Sequence, residues 1–162
     1  MCPTRTPTRQ ETHGRQGRSI TDRDANEINR VEELSYDLKV HEVMTAHLHT
    51  ASPEMPLAKV LEILRVNRIS GVPVMQDGQI IGILSLEDIV RAMEKNELSA
   101  PVSQYMTKKL ITVASHDSIV KAIQTFTESK LGRLPVVDAD KKLVGMITKG
   151  DITRGVLTAL QK

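Results

Sequence analysis

The segment GMITKGDITR, residues 145–154, decides the fold, because a closely matching segment, GILSLEDIVR, occupies residues 82–91. Each copy begins with a glycine inside a hydrophobic strand pattern and carries a hydroxyl residue three positions before an aspartate. This spacing is typical of a capping box, which begins a helix. It also suits a ligand, because an acid at a strand-to-helix junction can accept both hydroxyls of a ribose, and a helix N-terminus attracts phosphate. A single copy leaves both interpretations open.

The chain repeats itself beyond these two segments, at an offset of 62 residues (106 − 44). The motif VHEVMT at 40–45 matches VSQYMT at 102–107, and GVPV at 71–74 matches RLPV at 133–136. The offset grows to 63 between the two glycines (145 − 82), so one residue is inserted between the strands of the second hairpin. An internal repeat of this kind indicates two copies of one structural unit.

Each repeat predicts a short strand, a helix, a two-stranded hairpin and a second helix. The predicted ranges are 48–51, 57–67, 72–84 and 86–95 in the first repeat, and 110–113, 119–129, 134–147 and 149–160 in the second. We therefore expect an α/β fold of the α+β type, in which two β-α-β-β-α repeats pack sheet to sheet around a pseudo-twofold axis. The first repeat is expected to span residues 39–98 and the second residues 99–162.

The N-terminal region precedes the repeats and has a different composition. Residues 1–24 are rich in arginine, threonine, glutamine and proline, which predicts a disordered tail. Its arginines could contact nucleic acid, but a solvated leader is the favoured interpretation. Hydrophobic residues then recur at spacings of three and four within residues 25–38, which predicts an amphipathic helix that packs on the repeats.

Composition narrows the classes of protein that remain. With 162 residues, of which 40% are hydrophobic, the chain can bury the core of one ordinary soluble domain. A net charge of +2 is too small to argue for nucleic acid, and two tyrosines and one phenylalanine offer few platforms for base stacking. Cys2 is the only cysteine, which excludes an internal disulfide and a cysteine-based zinc site. No apolar run reaches the roughly 18 residues that span a bilayer, and no secretion signal is visible, so we expect a cytoplasmic, reducing location.

The repeated combination of V-x-x-x-M-T, [GR]-[VL]-P-V and G-h-[IL]-[ST]-x-x-D, where h is hydrophobic, resembles a tandem CBS-domain pair. This is the Bateman module, named after cystathionine beta-synthase, and the resemblance covers about residues 39–160. It implies a cleft between the repeats with two related sites for AMP, ADP, ATP or S-adenosylmethionine, and no catalytic cofactor. It also implies a homodimer with a regulatory role toward an enzyme, a transporter or a channel.

The resemblance assigns roles to particular side chains. Asp88 and Asp151 match the family's ribose-binding acid, and Ser85 and Thr148 match the hydroxyl that contacts ribose or phosphate. The phosphate-binding candidates are Arg91, Arg133, Lys149 and Arg154, although Lys149 and Arg154 could instead be ordinary solvated helix charges. The candidates for the adenine pocket, which the family lines with backbone near these positions, are Thr50, Val72, Pro73, Thr112, Leu134, Pro135 and Val136.

The two sites are expected to differ in charge. Arg133 aligns with Gly71, and the planar fork of an arginine suits phosphate. In the first repeat, by contrast, Glu87 stands beside Asp88. We therefore predict that the second repeat's site binds the phosphates of a nucleotide. The first site should be empty, weak or limited to an uncharged, nucleoside-like ligand.

Two further groups of residues have an alternative interpretation. Gly82 and Gly145 could allow the close approach of a ligand or tight packing against the neighbouring helix. His41, His47 and His49 are interpreted as surface histidines rather than as a metal site, because neither a cysteine nor a pair of acids accompanies them.

No Ser–His–Asp set, Cys–His pair or HExxH motif is present, so we do not expect an enzyme. The leading hypothesis is a ligand-sensing module that shifts the orientation of its repeats and regulates an effector protein in trans, or within a longer chain. One alternative is a dimerisation or interaction module that has lost its ligand. A weaker alternative is a nucleic-acid-associated protein that uses its arginine-rich tail. We expect no membrane partner.

Overall fold

The computed structural model describes residues 22–162. The expected disordered tail lies almost entirely outside this range, and so do its arginines, except Arg23. The helices are α1 (Asp22–Asp37), α2 (Val40–Val43), α3 (Leu57–Asn67), α4 (Leu86–Glu94), α5 (Ile119–Ser129) and α6 (Lys149–Leu160). The strands are β1 (Gly71–Gln76), β2 (Gln79–Ser85), β3 (Val113–Ala114), β4 (Arg133–Val137) and β5 (Leu143–Thr148), and a short 3-10 helix covers Val102–Gln104.

The predicted amphipathic helix is α1, which begins at Asp22 instead of residue 25 and ends at Asp37. It packs against α5 and α6 of the second repeat. Leu38, which directly follows it, packs against the core of that repeat. None of the helices between residues 22 and 162 combines the length and the apolar character needed to cross a bilayer.

Both predicted hairpins are present, with β1 antiparallel to β2 and β4 antiparallel to β5. Asp77 and Gly78 have φ values of 51° and 77°, which a two-residue turn of the primed type requires. The second hairpin has a longer loop, where the Asp138 carboxylate accepts hydrogen bonds from the backbone N–H groups of Asp140 and Lys142, both at 2.9 Å. The residue inserted in the second repeat is therefore accommodated between the strands, without disturbing the sheet.

The strand predicted at the start of each repeat is shorter than expected. In the first repeat only Ala51 pairs, through a parallel bridge to Val74. In the second repeat β3 contains two residues and runs parallel to β4. Leu48 and His49, at the start of the predicted strand, line a cleft.

Each repeat is completed by the leading segment of the other. Thr45, from the start of the first repeat, pairs with Met146 of β5 through backbone hydrogen bonds of 2.9 and 3.0 Å. Thr107, from the start of the second repeat, pairs with Ile83 of β2 through bonds of 2.8 and 3.0 Å. The two V-x-x-x-M-T motifs therefore cross between the repeats and hold them together.

The hydrophobic core of each repeat also includes a residue from the leading segment of the other repeat. One hydrophobic cluster belongs to the first repeat and includes Val102, from the lead of the second repeat. The other surrounds Phe126 in the second repeat and includes Val40, from the lead of the first. Both valines are completely buried. Neither repeat therefore completes its core alone, which fixes how the two strand-to-helix junctions face each other.

Candidate functional site

The junction of β5 and α6 forms a capping box. The Thr148 hydroxyl accepts a hydrogen bond from the Asp151 N–H at 3.2 Å, and the Thr148 N–H donates to Asp151 Oδ2 at 2.8 Å. The Thr148 hydroxyl also donates to the same oxygen, at 3.0 Å. The capping box that the T-x-x-D motif predicts is thus present, and it fixes the orientation of the Asp151 carboxylate.

The junction of β2 and α4 repeats this geometry in the first repeat. Asp88 Oδ2 accepts from the N–H and the hydroxyl of Ser85, both at 2.8 Å, and the Asp88 N–H donates to the Ser85 hydroxyl at 3.3 Å. Both acids are nearly buried, with 5% of Asp88 and 6% of Asp151 exposed. Within residues 22–162, Asp88 and Asp151 are the charged residues that are buried. Because charged side chains are rarely buried without a reason, these two are the strongest candidates for a site.

Each acid also forms an ion pair with an arginine three residues later. Arg154 donates to Asp151 Oδ1, and Arg91 donates to Asp88 Oδ1. The Arg154 side chain is 72% exposed, so it can leave this contact without unpacking the core. A carboxylate has about four lone-pair sites, of which the protein occupies three at Asp151. The departure of Arg154 would therefore leave room for two ligand hydroxyls.

The Asp151 carboxylate faces a cleft of about 480 Å³ that both repeats line. The second repeat contributes Thr148 and Asp151, and the first contributes the crossing segment around Thr45 and the end of α3 up to Pro73. The volume lies in the range of about 300 to 1,000 Å³ that is typical of small-molecule sites. The cleft is thus a site between the repeats rather than within one of them.

This cleft, which we call the larger cleft, is lined by several positively charged side chains. Arg68, Arg133 and Arg154 all line it, and His47 and His49 add two imidazoles whose rings meet edge to face at 5.7 Å between centroids. Arg68, His47 and His49 are residues that sequence reasoning did not assign to the site. The sequence contains one signal for Arg68, because Lys130 stands at the equivalent position of the second repeat, at the offset of 62 (130 − 68). In the structure both residues adopt positive φ where their helix ends.

A smaller cleft of about 270 Å³ surrounds the Asp88 carboxylate. Its acidic side chains are Asp88 and Glu87, and its basic side chains are Lys109, Lys130 and Arg133. The two clefts are thus related by the repeat, but the smaller one has two acids against three basic side chains, whereas the larger one has one acid against three arginines. The expected difference in ligand between the two sites stays a prediction.

Arg133 lies between the two clefts and lines both. Its Nη2 donates a hydrogen bond to the Ser70 hydroxyl at 2.8 Å, and its Nη1 fills the space that a Cβ atom on Gly71 would need. Burial lowers the pKa of the Arg133 guanidinium, and the negative charges of Glu87 and Asp88 act against this shift. The sequence predicts Arg133 in the second site alone; in the structure its side chain crosses toward the first repeat, because Gly71 has no side chain in its way.

The structure places two other phosphate candidates outside the clefts. Lys149 lies beside Ile123 and Phe126 in a groove between α5 and α6, because it is two residues before Asp151 and so faces another side of the helix. Arg91 borders a separate polar depression with Tyr105, although it still pairs with Asp88. Lys149 thus lies outside both clefts, and its assignment to the phosphate site stays a prediction.

The adenine-pocket candidates divide into three groups. Pro73 lines the larger cleft. Thr50, Thr112 and Pro135 line neither cleft. The side chains of Val72, Leu134 and Val136 are completely buried in the core, so only their backbone could reach a base.

Comparison with known proteins gives the same picture of two repeats. The family model described as "CBS domain" matches twice, at residues 40–95 and 102–158. An inosine-5'-monophosphate dehydrogenase of Aquifex aeolicus is 33% identical over 132 residues, which are 80% of this chain and 26% of that protein. An uncharacterised protein of Methanocaldococcus jannaschii is 29% identical over 118 residues, 73% of this chain and 39% of that protein. The chain thus spans well under half the length of these two relatives.

Among solved structures, CBSX2 in complex with AMP superposes with a TM-score of 0.67. It is 32% identical, and the match covers 75% of this chain and 98% of CBSX2. CBSX2 is a CBS-pair protein of Arabidopsis thaliana.

Proposed function

Because the chain belongs to the CBS-domain family and contains two CBS domains in tandem, we propose that it is a regulatory module that senses an adenosine nucleotide. The observation that carries this proposal is the larger cleft, where the buried, pre-oriented Asp151 carboxylate and three arginines meet between the repeats. The AMP bound to CBSX2, a relative with 32% identity that the match covers almost completely, supports an adenine nucleotide as the ligand class.

The sugar and the phosphates would bind to different walls of the larger cleft. The ribose hydroxyls would donate to Asp151, whose Oδ1 is vacated when Arg154 turns toward the phosphate. Thr148 would keep Oδ2 in place through its two hydrogen bonds. Arg68 and Arg133 would contact the phosphate from the first and second repeat, since guanidinium groups bind phosphate oxygens in pairs.

Charge favours a phosphorylated ligand over S-adenosylmethionine. The larger cleft brings three guanidinium groups and two imidazoles to a single acid, Asp151, so its potential attracts anions and opposes a sulfonium cation. The smaller cleft offers Glu87 and Asp88 against three basic side chains and should bind the same nucleotide more weakly. AMP, ADP and ATP are therefore the proposed ligands, in the larger cleft first.

Binding would act through the relative orientation of the repeats. Residues from both repeats line the larger cleft, so a ligand that contacts both walls favours one arrangement of the interlocked halves over others. We expect a homodimer that regulates an effector protein in trans and does not itself catalyse a reaction. Leu86, Val90 and Met93, which are 41–49% exposed along one side of α4, support a protein contact.

Thermal unfolding of the full chain with a panel of ligands tests this proposal. At 100 times its dissociation constant a ligand stabilises the native state by about 2.7 kcal/mol, which is roughly 5 to 10 °C for a domain of this size. We expect this response from AMP, ADP or ATP, a smaller one from adenosine and none from inorganic phosphate alone. Recovery of unchanged nucleotide after incubation would agree with a non-catalytic role. If no adenine nucleotide raised the melting temperature, the alternative of an interaction module without a ligand would replace the proposal.

A further inference from the structure

Two equivalent positions of the repeats carry very different side chains. Gly71 is the first residue of β1 and Arg133 is the first residue of β4, at the offset of 62 (133 − 71). Gly71 pairs with Ser85 and Arg133 with Thr148, so each position adjoins the hydroxyl residue of its own repeat. The fold therefore provides two equivalent positions for a basic side chain, but of these two only position 133 carries an arginine.

The Arg133 side chain lies where it can serve both sites. It is anchored on Ser70 of the first repeat at 2.8 Å and occupies the space that Gly71 leaves empty. From this position it lines the larger cleft with Asp151 and the smaller cleft with Asp88. A side chain of any kind at position 71 would displace it.

The charges on the two sides of Arg133 are unequal. The smaller cleft presents the acids Glu87 and Asp88 against two lysines, Lys109 and Lys130, and the attraction of the acids for the guanidinium is reflected in their opposing effect on its pKa. The larger cleft presents Arg68 and Arg154 against one acid, Asp151, so positive charge is in excess on this side of the guanidinium. The position of Arg133 therefore depends on which cleft holds an anion.

We infer that Arg133 is a shared phosphate contact that makes the two clefts compete for phosphorylated ligands, an inference that rests on the proposed nucleotide binding. A phosphate in the larger cleft draws the guanidinium toward it and leaves Glu87 and Asp88 less compensated. The smaller cleft, with Lys109 and Lys130 as its remaining basic side chains, then binds a second phosphate less tightly. The module therefore binds a first nucleotide tightly and a second one with lower affinity. The second binding step then occurs at much higher nucleotide concentrations.

Titration calorimetry of the full chain with AMP separates the two clefts. Asp151→Asn weakens the larger cleft, so AMP binding by this variant reports on the smaller cleft. Asp88→Asn weakens the smaller cleft, so AMP binding by that variant reports on the larger one. Arg133→Met should weaken AMP binding in both single-cleft variants. Arg68→Met removes the same charge from the larger cleft alone, so it should weaken binding only in the Asp88→Asn background. Both basic residues are removed by the same substitution, which makes Arg68→Met the matched control.

The coupling has its own readout. In the Asp151→Asn variant, the smaller cleft should bind AMP at least about fivefold more tightly than the second step of the wild-type titration, the lower end of typical coupling between sites. In an Arg133→Met background this difference should vanish. Thermal unfolding of each variant without ligand checks that the fold is retained.

Three results would overturn the inference. One is a wild-type titration with two independent steps that match those of the single-cleft variants. Another is an Arg133→Met effect confined to one cleft. The third is an Asp151→Asn variant that binds no AMP while Asp88→Asn still does, which would leave the proposed function standing. A wild-type chain that binds no nucleotide would overturn both.

Discussion

The sulfur atom of Met44 lies 2.5 Å from the position that a Cβ atom on Gly145 would occupy, and the Thr45 carbonyl oxygen lies 2.9 Å from it. Met106 stands in the same relation to Gly82, at 2.7 Å. Both glycines are therefore required by the segments that cross between the repeats. The structure shows tight packing at both glycines, but against these crossing segments and not against the neighbouring helix that the sequence suggested.

Gly145→Ala should therefore destabilise the fold. The added methyl group would overlap the Met44 side chain and the Thr45 backbone, and overpacking of this kind costs about 1 to 3 kcal/mol. Urea unfolding measures the loss. Gly150→Ala is the control, since the atoms nearest to its Cβ position are 3.5 and 3.6 Å away and alanine favours the helix. Equal stability of the wild type and the Gly145→Ala variant would show that the segments do not cross as described.

Arg154→Met should separate binding of the sugar from binding of the phosphate. Arg154 forms an ion pair with Asp151, so its removal frees the acid for a ribose. Adenosine should bind as well as or better than it does to the wild type, whereas AMP should bind about tenfold more weakly, the effect of one lost charged hydrogen bond. Calorimetry with both ligands measures this. Arg91→Met makes the same change at Asp88 and should leave the main AMP step unchanged; a loss of adenosine binding by Arg154→Met would contradict the proposed exchange.

Lys149→Met should leave AMP affinity unchanged. The residue lies in the groove between α5 and α6, away from both clefts, although it is only two positions from Asp151. The same titration measures this, with Arg133→Met as the positive control. Weaker AMP binding by the Lys149 variant would restore our first assignment of this residue to the phosphates.

Tyr105 and Glu97 provide a prediction about pH. The Tyr105 hydroxyl donates a hydrogen bond to the Glu97 carboxylate, and this bond raises the pKa of Tyr105 above its ordinary value near 10. Because the folded-state pKa is raised, the stabilisation is complete below the unfolded value and is lost as the pH rises through the folded one. An absorbance titration of tyrosinate in the Tyr36→Phe chain should show a lower pKa when Glu97→Gln is added. An unchanged pKa would show that the two side chains do not meet in solution.

The repeat made most of the fold predictable from the sequence. Matching motifs at an offset of 62 identified both hairpins and their helices, and the resemblance to a CBS-domain pair is confirmed by the family match over residues 40–95 and 102–158. The strands at 48–51 and 110–113 were predicted too long, because a hydrophobic pattern does not reveal how many residues pair with a neighbouring strand: only Ala51 does so in the first repeat, and Val113–Ala114 in the second.

The site was less predictable because it lies between the repeats. A repeat pattern aligns Asp151 with Asp88 but does not say which segment of the other repeat faces each acid. The crossing of Thr45 and Thr107 decides this, and it brings Arg68 and His47 of the first repeat to the acid of the second. The sequence also does not reveal that Lys149 lies outside both clefts, because two helical residues two positions apart face different sides of the helix.

The role of Asp151 is the central claim, and titration of AMP into three forms of the full chain tests it most directly. Asp151→Asn and Asp88→Asn alter the same kind of capping box, so their effects on folding should be alike and a difference in binding reports the ligand. We predict that Asp151→Asn weakens the tighter AMP step by about 10- to 150-fold, the range for hydrogen bonds to a charged group. Asp88→Asn should leave that step unchanged. An Asp151→Asn variant that retained wild-type affinity, in a chain that binds AMP, would contradict the account.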